Sequence, residues 1–467
     1  MSDTSRNNGF LYGPFAPTRQ DGRWNDLEII GSVPQDLCGT LYRTGSEPQF
    51  DPVRADLYHW FDGDGVIGGI TLKDGRASFQ RRVIDTDGLA IERAAGHAIY
   101  GGINGGGLPQ RPQGGPPMKN NGNTNVTVFG DKLLAFMELG LPYELKRDDL
   151  STIGNFDFGG IRTPVTAHWK VDPETGDLLF YGVFMTQITW YRADRFGQIV
   201  ESHTFDMGVP SFIHDFAVTR DYAMFFINPT IIDIPGAMRG ERPVIWEPDV
   251  GCRIAVLNRR TFELKIIPAS DRFAPTHFLN AWQDGEEVVI DGNRAAEFSY
   301  PRGVPATQFD HLWFKTAYPW RWRINPSQGT LRDEQVSDIN SEFPRHNESL
   351  VGKPVQFGYY AATRHGEYCE NWLFDHIAKQ DLKRGTVEFQ NIGGQLSCPG
   401  ESVFVAREGA TEEDDGWVLT LWYDPDRDQT ELVILNGRDF GGEPQARVKL
   451  GRRFPMGFHG NWVPEAA

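Results

Sequence analysis

Short apolar runs closed by turn residues make up almost all of this chain. NVTVFGDKLLAFME, DLLFYGVFM, YAMFFI, CRIAVL, EEVVIDG, WVLTLWYD and ELVILNG are each bounded by Gly, Asp, Asn or Pro. Runs of this kind read as strands, and the i, i+3, i+4 pattern of an amphipathic helix is almost absent. Turn chemistry joins several of them into hairpins: Pro173 through Asp177 in VDPETGDLLFYG, and Asp424 through Asp428 in TLWYDPDRDQTELVIL. Such pairs recur to the C-terminus and predict an all-β fold, a sandwich or a propeller. The length of 467 residues and the blade-like spacing favour a propeller, one domain over 1–467 with long loops on one face.

Histidine is scarce, 11 in the chain, and four stand in apolar strand-like or turn-like segments: His168 in TAHWKVDPETG, His214 in SFIHDFAVT, His277 in APTHFLNAW and His459 in PMGFHGNW. The 46 residues from His168 to His214 are close to the ~40–50 of one propeller blade. Four imidazoles from four blades could meet on the propeller axis and hold a metal. A lone strand histidine is more often an ordinary core or surface residue, and His59, His97, His203, His311, His346, His365 and His376 are read that way.

A net charge of −17 disfavours electrostatic binding to nucleic acid or to an anionic membrane, while docking on lipid through an apolar patch stays open. Cys38, Cys252, Cys369 and Cys398 form no CxxC pair, and the opening MSDTSRNNGF is neither a signal peptide nor an anchor. These features point to a reducing cytoplasm. Two segments break the strand pattern. Gly101 to Gly122 is a Gly/Pro-rich loop, and Ile227 to Val250 mixes apolar residues with turn formers. Loops of this length in compact folds usually serve as lids or entrances.

GTLYRTGSEPQF, HWFDGDGVIGGI, NGNTNVTVFGDKLLAFMELGLPYEL, SFIHDFAVT and FPMGFHGNW resemble the carotenoid cleavage oxygenase superfamily nearly from end to end. The resemblance implies a seven-bladed β-propeller with loops capping the metal face. It implies a non-haem Fe(II) held by His168, His214, His277 and His459, with O2 as cosubstrate and no organic cofactor. It also implies three carboxylates behind the ligands: Glu138 for His214, Glu342 for His277 and Glu401 for His459, with His168 lacking such a partner. A carboxylate that accepts an imidazole N–H fixes the tautomer and raises ligand basicity. Thr124 resembles a threonine that stands near the metal and limits access to one coordination position. Four neutral imidazoles suit Fe(II) and leave at most two open positions, unlike a two-His-one-carboxylate triad.

The reaction implied is oxidative cleavage of a C=C bond to two carbonyl products. Superfamily substrates include carotenoids, apocarotenoids, stilbenes and phenylpropenes. In stilbene-cleaving members a Lys precedes the first carboxylate and an upstream Tyr joins it on the phenolic hydroxyl. Here Met137 stands before Glu138 and Ile103 falls at the Tyr position, although Tyr100 lies three residues earlier. Losing a hydroxyl-binding Lys argues for an apolar conjugated alkene such as an apocarotenoid. The stilbene or phenylpropene alternative stays open. Phe61, Trp169, Phe212, Phe278 and Phe458 are candidates for a substrate pocket, and Trp169 replaces the Pro that commonly follows the first histidine. Ile231, Ile232, Ile234 and Met238 are candidates for a lipid-facing entry lip. A catalytically silent propeller has no need of this constellation, and a Ca²⁺-dependent hydrolase would want oxygen ligands. The oligomeric state is left open.

Overall fold

The computed structural model describes residues 8–465 apart from 104–114, 117, 139, 173, 306–315 and 365–372. His311, His365 and much of the Gly101–Gly122 loop therefore lie outside the described residues. Strand makes up 46% and helix 7%. Seven antiparallel sheets of four or five strands form a seven-bladed β-propeller, and one two-stranded hairpin lies outside the blades.

The ring is closed twice. Gly460–Pro464 pairs with Gly39–Glu47 in the first blade, and Ile29–Gly31 pairs with Ala446–Lys449 in the last. Both ends of the chain are thus tied into blades they did not begin.

The apolar runs read YAMFFI rather than alternating because both faces of each sheet are buried against neighbouring blades. Successive residues enter different layers. Phe225 packs with Trp190 and Tyr181 of the third blade, whereas Phe226 packs with Ile290 and Trp322 of the fifth. Tyr360 and Tyr359 divide in the same way between the fifth and seventh blades. The apolar core is a circle of inter-blade layers, which leaves the axis free for polar groups.

The turns follow their sequence signals. Asp172 accepts the N–H groups of Glu174 and Thr175, and Gly176 takes φ 73°. Asp424 does the same for Asp426 and Arg427. The Ile227–Val250 segment is more ordered than a loop. Thr230–Ile232 pairs with Val244–Trp246, and a helical turn at Ile234–Met238 starts from Asp233, which accepts Gly236 N–H. The Thr and β-branched residues of TII and VIW suffice for a two-stranded ribbon once it rests on the propeller face. A nine-residue helix, Asp87–Ala95, is capped by Thr86 and ended by Gly96 at φ 77°.

One buried ion pair ties the N-terminal segment to the first blade. Glu47 meets Arg81 at 2.7 Å and accepts the N–H groups of Thr18 (2.7 Å) and Arg19 (3.0 Å). Burial alone would raise the Glu47 pKa, but Arg81 and the Thr18 N–H outweigh it and hold the carboxyl below its ordinary value. The pair's contribution is therefore full above the unfolded value of ~4.3 and is lost as pH falls below it. Glu47→Gln strands Arg81 and should cost ~3–5 kcal/mol at pH 7. A chain this long gains roughly 1 kcal/mol/K of unfolding entropy, so the thermal midpoint should fall by about 4 °C. The gap between variant and wild type should narrow in scans below about pH 4.3.

Candidate metal centre and its cavity

The first strand of each blade from the second onward begins beside the axis, and Gly460–Pro464 plays that part in the first blade. At or just before these starts stand Thr124, His168, His214, His277, Glu342, Glu401 and His459, one from each blade. Glu138 comes from the end of the second strand of the second blade, Lys132–Phe136. Bulges aim two of the groups. Register shifts flank Phe278, next to His277, and another follows Glu342.

The four histidines converge. His168 lies 4.4 Å from His214, 5.0 Å from His277 and 4.7 Å from His459 between ring centroids. Ligand atoms of His168, His277 and His459 fall within 4.8 Å of one another, as do those of Glu138, His168 and His214.

Each expected carboxylate stands behind its histidine. His277 Nδ1 is 2.5 Å from Glu342, His459 Nδ1 is 2.8 Å from Glu401, and His214 Nδ1 is in contact with Glu138. Among the described residues His168 makes no ion pair or hydrogen bond with a carboxylate.

The pKa directions follow from these contacts. Burial, reinforced by the other three imidazoles, drives His168 well below its ordinary value. Burial also takes His459 down to about 4 against the pull of Glu401. At His214 burial acts downward, but the Glu138 charge prevails and raises it. Burial would raise Glu342 and Glu401, yet His277 lowers the first, and Arg345 with His459 lowers the second.

This donor set fits a metal ion. His214 Nε2 and His277 Nε2 are 3.0 Å apart. With both Nδ1 atoms turned to carboxylates, each Nε2 presents a lone pair, and two lone pairs at that distance repel without a cation to share. His168 Nε2 is buried with no hydrogen-bond partner. Neutral imidazoles behind oriented carboxylates suit transition metals such as iron, zinc, copper or nickel.

The three carboxylates differ. Glu401, itself buried, also binds Arg43 (3.1 Å), Arg345 (3.0 Å) and Gly460 N–H (2.9 Å), and Arg345 reaches outward to Glu348. Glu342 is buried, with Oε1 unpartnered. Glu138 and His214 are the partly exposed pair, because they face a cavity.

That cavity has a volume of about 880 Å³ and reaches His214, His277, His459, Glu138 and Thr124. His168 lies outside its lining. Phe61, Tyr100, Ile103, Met137, Phe212 and Phe458 all line it. Trp169 and Phe278 do not. Trp169 packs into the layer between the second and third blades, and Phe278 is buried against Phe226 and Trp322. Phe278 lies within a strand, where the side chain after one that faces the axis points the other way, and Trp169 turns outward just before its strand, Lys170–Val171, begins. Phe458, in a bend before His459, turns to the cavity instead.

Sequence reasoning missed several residues. Phe343 lines the cavity with ring centroids 5.4 Å from His277 and 5.5 Å from His459. It is held at φ 54°, a left-handed conformation costly for a bulky residue, and its N–H donates to Glu342. Phe298, stacked on Phe212, forms another part of the wall. Arg43 and Arg345 lie inside the YRTG and EFPR segments, but their charges gave no sign of burial.

Comparison with known proteins agrees with this architecture. The sequence profile of the retinal pigment epithelial membrane protein family matches residues 15–464. The apocarotenoid-15,15'-oxygenase of Synechocystis sp. is 33% identical over 466 residues, covering 93% of this chain and 92% of that one. The isoeugenol monooxygenase of Pseudomonas nitroreducens is 30% identical, covering 99% and 100%. The crystal structure of the Pseudomonas brassicacearum lignostilbene dioxygenase superposes with a TM-score of 0.89 at 26% identity, covering 98% of this chain and 99% of that one. A full-length family match on a seven-bladed propeller with a histidine-rich centre makes this chain an oxygenase of the carotenoid cleavage family.

Proposed function

We propose that this enzyme holds Fe(II) through His168, His214, His277 and His459 and cleaves a C=C bond of an apolar conjugated alkene, an apocarotenoid before a phenolic stilbene, within one domain spanning the chain. The observation that carries the reading is the apolar cavity ending on three of the four histidines, with Met137 beside Glu138. Iron, when bound, supplies the centre at which O2 is activated, and all electrons for the cleavage come from the alkene.

The protein's share is orientation and exclusion of water. Glu138, Glu342 and Glu401 hold three imidazoles by Nδ1. Thr124 and Phe343 narrow the space in front of the histidines. Phe61, Phe212, Phe298 and Phe458 offer flat apolar walls to a conjugated chain. Met137 lends a polarisable surface, and its Sδ is pinned by Asn121 N–H at 3.0 Å. Tyr100, whose hydroxyl reaches Pro116 O at 3.3 Å, is the group a phenolic substrate would use, and it supports the second reading. Aerobic incubation with apocarotenals, stilbenes and vinylphenols, followed by identification of carbonyl products, tests the choice. Aldehydes from the polyenes and about one iron per chain are expected. Cleavage confined to the phenolic compounds would hand the site to the second reading.

An apolar substrate must be drawn from lipid or a carrier, and the cavity rim supports lipid contact. Phe184, Met185, Val53, Met118 and Ile234 are exposed and also line the cavity, and Met238, 72% exposed, stands beside them. Ile231 is buried and Ile232 half-buried, so the lip draws less on that strand than the sequence predicts. Met185 holds φ 56° at a hairpin tip, an expensive way to display a methionine. No helix among the described residues is long and apolar enough to cross a membrane. The free thiols of Cys38, Cys252 and Cys398 support a reducing compartment such as the cytoplasm. Replacing Phe184, Met185, Ile234 and Met238 together by Ser should weaken vesicle binding and slow turnover of vesicle-borne substrate. Unchanged binding and turnover would remove the lip from the account.

A further inference from the structure

The described residues lining the cavity include six carboxylates (Asp62, Asp64, Asp87, Glu92, Glu138 and Glu241) against two fixed cations, Arg54 and Lys119. Both cations are already engaged. Arg54 pairs with Asp56 at 2.6 Å. Lys119 Nζ lies 2.6 Å from Asp64 and 2.5 Å from Glu92, with its side chain 10% exposed.

The clamp is built from three elements that hold it still. Glu92 sits on the Asp87–Ala95 helix, and its other oxygen accepts the N–H groups of Ile99 (2.8 Å) and Tyr100 (3.1 Å). Asp64 opens a strand of the first blade and accepts Gln49 N–H at 3.0 Å. Two carboxylates on one ammonium leave the trio net negative, with no cation to spare. The neighbouring Asp62 shows what this wall does to an anion. Its Oδ1 accepts Ile103 N–H at 2.8 Å, yet Oδ2 has no partner, and burial pushes the carboxyl up to about 7. A carboxylate brought in on a substrate would lose its water, meet like charges and find no free cation among the described lining residues.

We propose that Asp64 and Glu92, by saturating Lys119, make the cavity selective for alkenes whose polar end is uncharged (an aldehyde, an alcohol or a phenol) and reject the corresponding carboxylate. The inference rests on the reading that this cavity receives the substrate. An aldehyde and its acid differ by one oxygen atom, so shape discriminates weakly between them and charge decides.

The test compares a C20 polyene aldehyde with its acid at pH 8, by quenching of tryptophan fluorescence and, separately, by cleavage. Trp60 in the cavity wall, its ring centroid 4.2 Å from that of Phe458, is a suitable donor. Wild-type protein is expected to bind the aldehyde about tenfold or more tightly than the acid, as like-charge juxtaposition predicts. Glu92→Gln keeps an oxygen for Ile99 and Tyr100 but leaves Lys119 paired with Asp64 alone. By removing one negative charge from the wall it should shrink the ratio by about threefold or more, through tighter binding of the acid. Asp64→Asn should act in the same direction, and adding Lys119→Gln to Glu92→Gln should reverse the gain. Glu408→Gln, on an exposed turn, serves as the control. A wild-type binding ratio within about twofold of one, or a ratio unmoved by both Glu92→Gln and Asp64→Asn, overturns the proposal. If the binding ratios hold while neither polyene is cleaved, the selectivity stands and the apocarotenoid assignment falls.

Discussion

Replacing His214 by Ala should leave purified protein with little bound iron and cut alkene cleavage by about 10³-fold or more, while the propeller stays folded. His214 is the strongest test of the tetrad because it faces the cavity with its partner Glu138 and carries little of the core. Removing the side chain erases one of the four proposed ligands and ends the 3.0 Å approach to His277 Nε2. Losing several kcal/mol of stabilisation at the reacting atoms corresponds to the stated rate loss. Metal content by elemental analysis and product formation should fall together, with the circular dichroism spectrum and thermal midpoint near those of wild type. Full iron and full activity in His214→Ala would remove this residue from the centre.

Glu401→Gln and Glu138→Gln should part company, although both carboxylates back a histidine. At Glu401 the substitution removes the charge that compensates the buried Arg43 and leaves Arg345 with Glu348 alone. Breaking a buried pair from one side costs ~3–5 kcal/mol. The same unfolding entropy as before converts that to a midpoint lower by about 4 °C. His459 also loses its oriented acceptor, so iron affinity falls as well. At Glu138, which is partly exposed to the cavity and backed by no arginine among the described residues, stability should barely move, while metal affinity or activity drops by ~10–100-fold. Thermal scans and iron titrations of the two variants separate the cases. Equal midpoints would mean that the arginine pair draws no stability from Glu401.

Much of the histidine and carboxylate cluster was legible in the sequence because each member sits in a local motif. SFIHDFAVT, AFMELG, SEFPR and FPMGFHGNW each mark a strand start or end, and a propeller delivers those points to one axis. Expectation and structure differ at Trp169 and Phe278 for a reason of one residue. Adjacency to a histidine says nothing about which way a side chain points, and here both point into inter-blade layers. Arg43 escaped notice because its burial depends on Glu401, 358 residues away. The clamp on Lys119 escaped because Asp64 and Glu92 come from a strand and a helix whose packing, not their spacing, brings both carboxylates to one ammonium.

The sequence by itself determined the local terms: short strands from β-branched and aromatic runs, turns from Asp and Gly, and the residue types able to ligate a metal. Those properties depend on neighbours a few positions away, so they can be read in order. Only the tertiary structure decided which side chains share the cavity, which carboxylate is reinforced by arginines, and that the cavity's lysine is already neutralised. Desolvation and Coulomb interaction act through space, and ring closure sets those distances, bringing Gly460–Pro464 against Gly39–Glu47 and every distant charge with it.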